Sequence, residues 1–130
     1  MVILTIKTDK PEAEIALFEN TNKIDEIIWE AHRQLADTIH LKISELLHRN
    51  NFALQDLSGI ACFKGPGSFT GLRIGASVVN ALVYSLDISA VGMLGDSWQV
   101  NGAKSLLAGE NHKIIVPEYG GGANITLPKK

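Results

Sequence analysis

The sequence predicts an α/β fold with a mixed five-stranded sheet and helices packed on it. Three observations carry that reading. Val2–Thr8 and the two segments after it are short, alternating and partly β-branched, whereas from residue 33 the apolar period becomes that of a helix. Beyond residue 59 short apolar runs alternate with long helical ones, the order that lays strands parallel through crossovers. A glycine-rich run, Gly65–Gly75, opens the longest helix.

Taken in order, Val2–Thr8 reads as a central strand. Asp9-Lys10-Pro11 turns the chain into Glu14–Glu19, and Asn20-Thr21-Asn22-Lys23 turns it into Ile24–Trp29, giving a meander. Within 33–48, Leu35, Ile39, Ile43, Leu46 and Leu47 share one helical face, and Arg33, Asp37 and Glu45 lie off it. Asn50-Asn51 ends this helix, and Phe52–Leu57 leads to the fourth strand, Gly59–Phe63. Phe69–Leu86 is apolar nearly all round, as suits a helix held between a sheet and a second surface. Ser89–Met93 is the fifth strand, and Asp96–Leu107 a helix capped by Asp96 or Ser97 and stopped by Gly109. This makes residues 1–110 one domain; Ile114–Val116 reads as a last edge strand and Pro117–Lys130, with Gly120-Gly121-Gly122, as a mobile tail.

Composition sets outer bounds. At 130 residues the chain is one domain, and 45% apolar with 20% charged residues is ordinary for a globular protein. A net charge of −2 argues against broad nucleic-acid binding, whose affinity comes mostly from phosphate neutralisation. The single Cys62 cannot form an internal disulfide and reads as a buried, inert thiol. The apolar stretches read as too short to span a bilayer, and the N-terminus lacks a basic segment followed by an apolar one. Asn124-Ile125-Thr126 spells a glycosylation sequon.

The run Gly65-Pro66-Gly67-Ser68-Phe69-Thr70-Gly71-Leu72-Arg73-Ile74-Gly75 is the most specific stretch. Gly65 and Gly67 permit unusual backbone angles, and Pro66 fixes one φ between them. Ser68 is placed to cap the helix, worth ~1 kcal/mol. Gly71 and Gly75 lie a turn apart, where a neighbouring backbone could come close. The loop allows two readings: amides offered to a phosphate or carboxylate, or a structural elbow. It lacks the Walker lysine and does not match G-x-S-x-G. Arg73 places a cation near the positive end of the helix dipole, unfavourable unless an anion or a carbonyl meets it.

The run matches, residue for residue, the hallmark of the TsaB/YeaZ family of glycoprotease-like proteins. The resemblance extends to Met1–Thr8, to Glu45-Leu46-Leu47 and to Ile88-Ser89-Ala90-Val91-Gly92, covering about residues 1–108. It implies a ribonuclease H-like core of the actin/Hsp70-like ATPase type. It implies a non-catalytic subunit, without a cofactor, supporting synthesis of threonylcarbamoyl-adenosine at position 37 of tRNA. The implied partners are a catalytic TsaD-like paralogue and, through the complex, a TsaE-like ATPase, with tRNA engaged only indirectly and no membrane. Family members pair through two helices in a four-helix bundle, here residues 33–49 and 69–86, and the same face would serve a homodimer. On that basis Leu35 and Ile39 of the first helix, with Thr70, Arg73, Ser77, Asn80 and Tyr84 of the second, are the expected interface. Three departures stand out: Lys7 replaces the family's usual aspartate, Leu35 stands where a histidine is common, and the second domain is missing or reduced to residues 111–130.

Catalytic sets are sparse. His32, His40 and His48 recur every eighth residue, which rotates ~80° per step on a helix and cannot converge on one metal. Asp37 and His40 read as a surface pair. With Lys7 on the first strand and no acid on the fourth, neither a two-metal nuclease site nor an ATPase site is expected. A small nucleotide- or anion-binding enzyme using Gly65–Gly71 is the alternative, and a homodimeric interaction module a third.

Overall fold

The structure, a computed structural model, describes residues 1–118. In chain order it contains β1 (Val2–Lys7), β2 (Glu12–Glu19), β3 (Asn22–Glu30), α1 (Leu35–Arg49), β4 (Gly59–Phe63), α2 (Phe69–Leu86), β5 (Ser89–Met93) and α3 (Trp98–Leu107). The five strands form one sheet in the order β3-β2-β1-β4-β5. β1, β2 and β3 pair antiparallel as the meander; β4 lies parallel to β1 and β5 parallel to β4.

Burial explains the central place of β1. Ile3, Leu4, Thr5 and Ile6 are all fully buried, so both faces of this strand are covered. Leu4 and Ile6 face α1 and α2, in a core with Ile15, Leu17, Ile39, Leu46, Ile60 and Val79. Ile3 faces the opposite side, where Phe18, Ala61, Val91 and Leu106 close against α3. Gly102 lets α3 approach β4 closely, since a Cβ there would sit 2.6 Å from that of Ala61. Phe63 and Trp98 tilt together at 5.7 Å between ring centres, and Gln99 Nε2 donates to the buried Thr5 Oγ1 at 3.3 Å.

The C-terminal end of α1 is tied to the meander through Asp25 of β3. Arg49 donates to both its oxygens, from Nε at 2.7 Å and Nη2 at 2.9 Å, and Asn50 Nδ2 donates at 2.8 Å. Those bonds, Arg49 first, hold the Asp25 carboxyl well below the usual carboxylate range.

Several expectations need correction. β2 ends at Glu19 as expected but starts two residues earlier, at Glu12, and β3 starts two residues nearer the turn, at Asn22, where Asn20 takes a left-handed φ of 56°. Ser68 and Ser97 occupy N-cap positions, yet neither side chain makes a capping hydrogen bond. The expected edge strand at Ile114–Val116 is absent. The edge of β5 is met by residues 111 and 112 instead: His112 N donates to Ala90 O (2.7 Å), Ala90 N donates to Asn111 Oδ1 (3.1 Å) and Gly92 N to His112 Nδ1 (2.9 Å). The chain then leaves the sheet for α2, where Asn80 Nδ2 donates to Ile115 O (3.1 Å) and Ile115 N donates to Asn80 Oδ1 (2.8 Å). Ile115 is 3% exposed and completes the core. The expected tail falls largely on residues 119–130, outside the described residues. Finally, α2 has 18 residues at a mean hydropathy of 1.2, long and apolar enough by composition alone to cross a bilayer. Here Leu72, Ala76, Val79 and Val83 of that helix are buried within the domain.

Candidate partner interface

The hallmark loop is closed on itself. Ser68 N donates to Asp9 O at 2.9 Å, and Thr8 Oγ1 donates to Gly71 O at 2.8 Å, so the start of α2 is clasped to the residues that follow β1. A Cβ on Gly67 would collide with Asp9, one on Gly71 with the Thr8 carbonyl oxygen, and one on Gly75 with Thr8 Oγ1. Gly65 has φ 129°, and the carbonyl of Glu118 sits where its side chain would project. Of the two readings, these contacts support the elbow: the room beside Gly67, Gly71 and Gly75 is taken by Thr8 and Asp9.

The carboxyl end of β1 carries a cation with its own counter-ion. Lys7 Nζ lies 2.7 Å from Asp9 Oδ1 and 4.8 Å from the centre of the Phe63 ring. Both side chains are largely buried, at 15% and 8% exposure, so the pair neutralises itself away from bulk water. Asp9 is thereby the counter-ion of Lys7. Among the described residues, no three His, Cys, Asp or Glu side chains gather where one ion could sit. Cys62, wholly buried in β4, has its thiol pushed up to about 12 by desolvation, which keeps it from being a nucleophile at neutral pH.

The open surface lies on the other side of the elbow, along α1 and α2. Thr70, Arg73 and Ser77 are exposed and line a trough between the two helices. Its two adjoining hollows measure about 420 and 450 Å³. Ile43, Leu47, Ile74, Val78 and Leu82 form an apolar floor. The guanidinium of Arg73 rests over the Phe69 ring at 5.1 Å.

Not every expected interface residue belongs here. Leu35 and Ile39 are 4% and 0% exposed; they are core residues, because the stripe that makes α1 amphipathic is the stripe that packs on the sheet. Asn80 is half-buried with its amide bound to the backbone of Ile115. Tyr84, 90% exposed, borders a separate hollow of about 750 Å³ beside Asn111, Lys113 and Ile114. The trough's α1 wall is instead Ala36, His40, Ser44 and His48. Their four-residue spacing was available in the sequence as the complement of the Leu35–Ile39–Ile43 stripe.

A mixed sheet in this order, helices on both faces and a strand-to-helix elbow define the ribonuclease H-like α/β class to which actin- and Hsp70-like domains belong. The Thermus thermophilus RuvC structure shares that fold at a TM-score of 0.52 and 11% identity, covering 72% of this chain and 64% of that one. Residues 28–95, more than half of the chain, match the family model for TsaD, tRNA N6-adenosine threonylcarbamoyltransferase. Within that group the chain belongs to the TsaB/YeaZ family. It is 40% identical over 96 residues to the tRNA threonylcarbamoyladenosine biosynthesis protein TsaB of Bacillus subtilis, covering 72% of this chain and 42% of that protein. YeaZ from Pseudomonas aeruginosa superposes with a TM-score of 0.66 at 26% identity, covering 72% of this chain and 43% of that one. The chain thus spans less than half the length of these relatives.

Proposed function

We propose that this domain is a non-catalytic subunit in cytoplasmic tRNA N6-threonylcarbamoyladenosine formation, acting by binding the catalytic TsaD-like paralogue along α1 and α2. A TsaE-like ATPase joins through the resulting complex, and tRNA is engaged indirectly. The observation that carries this reading is a contrast between two surfaces. The strand ends that would hold nucleotide and metal are occupied by the Lys7–Asp9 pair and the closed elbow. The exposed α1/α2 trough has an apolar floor and polar walls, a surface suited to helices of a partner.

A specific pairing there buries on the order of 1,000 Å² in total. Ser77→Arg places a bulky charge on the exposed wall of the trough while sparing the core. In sedimentation measurements the variant is expected to lose both transferase binding and self-association through this face. Unchanged association would refute the assignment. The same reading predicts no ATP hydrolysis by the chain alone; a metal-dependent ATPase that vanishes in Lys7→Ala would contradict it.

A further inference from the structure

The charged side chains that line the trough, Lys10, Arg33 and Arg73, are all basic. A third hollow, of about 300 Å³, continues the trough past Thr70 and Ile74 toward the start of α1. Along the three hollows the titratable lining residues are Lys10, His32, Arg33, His40, His48 and Arg73, and no Asp or Glu lines any of them. The chain as a whole has 14 acidic against 12 basic residues, so this distribution runs against composition. Of the nearby acids, Glu30 holds His32 at 3.0 Å, Glu45 holds Lys42 and Arg49, and Asp56 accepts from Ala53 N; Asp37, exposed on α1 between Arg33 and His40, lines none of the three hollows. Among the described residues, Lys10, Arg33 and Arg73 enter no ion pair. Three of the chain's four histidines, those spaced by eight, fall in this one trough.

We infer that the α1/α2 trough receives an amphipathic helical surface whose flanks carry carboxylates. The partner's apolar side seats on Ile43, Leu47, Ile74, Val78 and Leu82, and its acids meet Arg73, Arg33 and the trough histidines. The apolar floor selects a protein helix over a nucleic-acid backbone, whose phosphates gain nothing from such a floor. Charge also ranks the occupants. A second copy of this chain would set the same basic walls against each other, whereas an acidic partner neutralises them. This inference deepens the function proposed above and rests on it only in taking the transferase as the natural occupant.

The test uses the full chain and two synthetic amphipathic helical peptides with the same leucine stripe, one flanked by glutamates and one by lysines. The glutamate peptide is expected to bind about tenfold more tightly than the lysine peptide at low salt, an advantage that added salt removes. Reversing both exposed arginines, Arg33→Glu with Arg73→Glu, is expected to invert the preference, to weaken transferase binding by about tenfold and to strengthen self-association. Circular dichroism of the double variant checks that it folds. Equal binding of the two peptides overturns the inference. So does a single-stranded RNA oligonucleotide that displaces the glutamate peptide and binds more tightly, which would make the trough a nucleic-acid site. A chain that discriminates the peptides but ignores the transferase sinks the proposed function and leaves the inference standing. A chain that binds the transferase equally well with both arginines reversed does the opposite.

Discussion

Single residues set the geometry of the elbow. Gly75 has no room for a side chain because Thr8 Oγ1 lies against it while donating to Gly71 O. Gly75→Val is therefore expected to displace Thr8, break that hydrogen bond and cost ~1–3 kcal/mol, read as a lowered urea midpoint. An unchanged midpoint would mean that α2 is not clasped to β1 in this way. Cys62 gives a second residue-level outcome. Its buried thiol should resist a water-soluble disulfide reagent in the native protein and react fully once the chain is unfolded. Asp25 gives a third, with a definite sign. Its carboxyl titrates below the ordinary 3.8 when folded, so its contribution is fully present above about pH 4 and is lost as pH falls toward the folded value. Asp25→Asn should thus be less stable than the native chain at neutral pH, with the gap closing in acid-denaturation curves.

At the scale of elements, bounds were legible where local chemistry punctuates the chain. β4, α2 and β5 have the limits read from the sequence, since Gly59, the Gly65–Ser68 loop and Asp87-Ile88 mark them. The inner stripe of α1 was legible too, because a 3.6-residue period is a local property. What was not legible depends on contacts distant along the chain. Asn80 reads as a surface residue of α2 until Ile115 arrives from 35 positions away to take both halves of its amide. The same contact diverts residues 114–116 from β5, which alternation alone cannot reveal. Leu35 and Ile39 are buried in the core, and of the two only Leu35 also edges the third hollow. Ile115→Ala should accordingly cost ~2–5 kcal/mol, as other truncations of fully buried aliphatics do, although no regular element contains it. Asn80→Ala should raise hydrogen exchange at the Ile115 amide, while amides inside β1 stay protected.

At the scale of the molecule, one sheet separates two kinds of surface. On one side, α3 closes over β4 and β5 through Trp98, Gly102 and Leu106. On the other, α1 and α2 bury their inner stripes and leave a trough between their outer ones. Fold class and the elbow's family signature were readable from the sequence. The sign of the trough's charge was not, because it gathers residues from 10 to 73 that are neighbours only after folding. The mixed pairing of β1 has a consequence in time. Its antiparallel partner β2 begins at residue 12, whereas its parallel partner β4 begins at residue 59. The meander closes short loops and the β1–β4 ladder a long one, so assembly is expected to proceed outward from the N-terminal hairpins, with one flank of β1 waiting for a strand made much later. During synthesis that waiting flank is a bare row of amides and carbonyls, the moment at which this chain is most open to pairing with the wrong strand. Pulse labelling during refolding should find the β2 and β3 amides protected before those of β4, and slowed delivery of residues 50–63 should increase aggregation more than the same delay placed after residue 93.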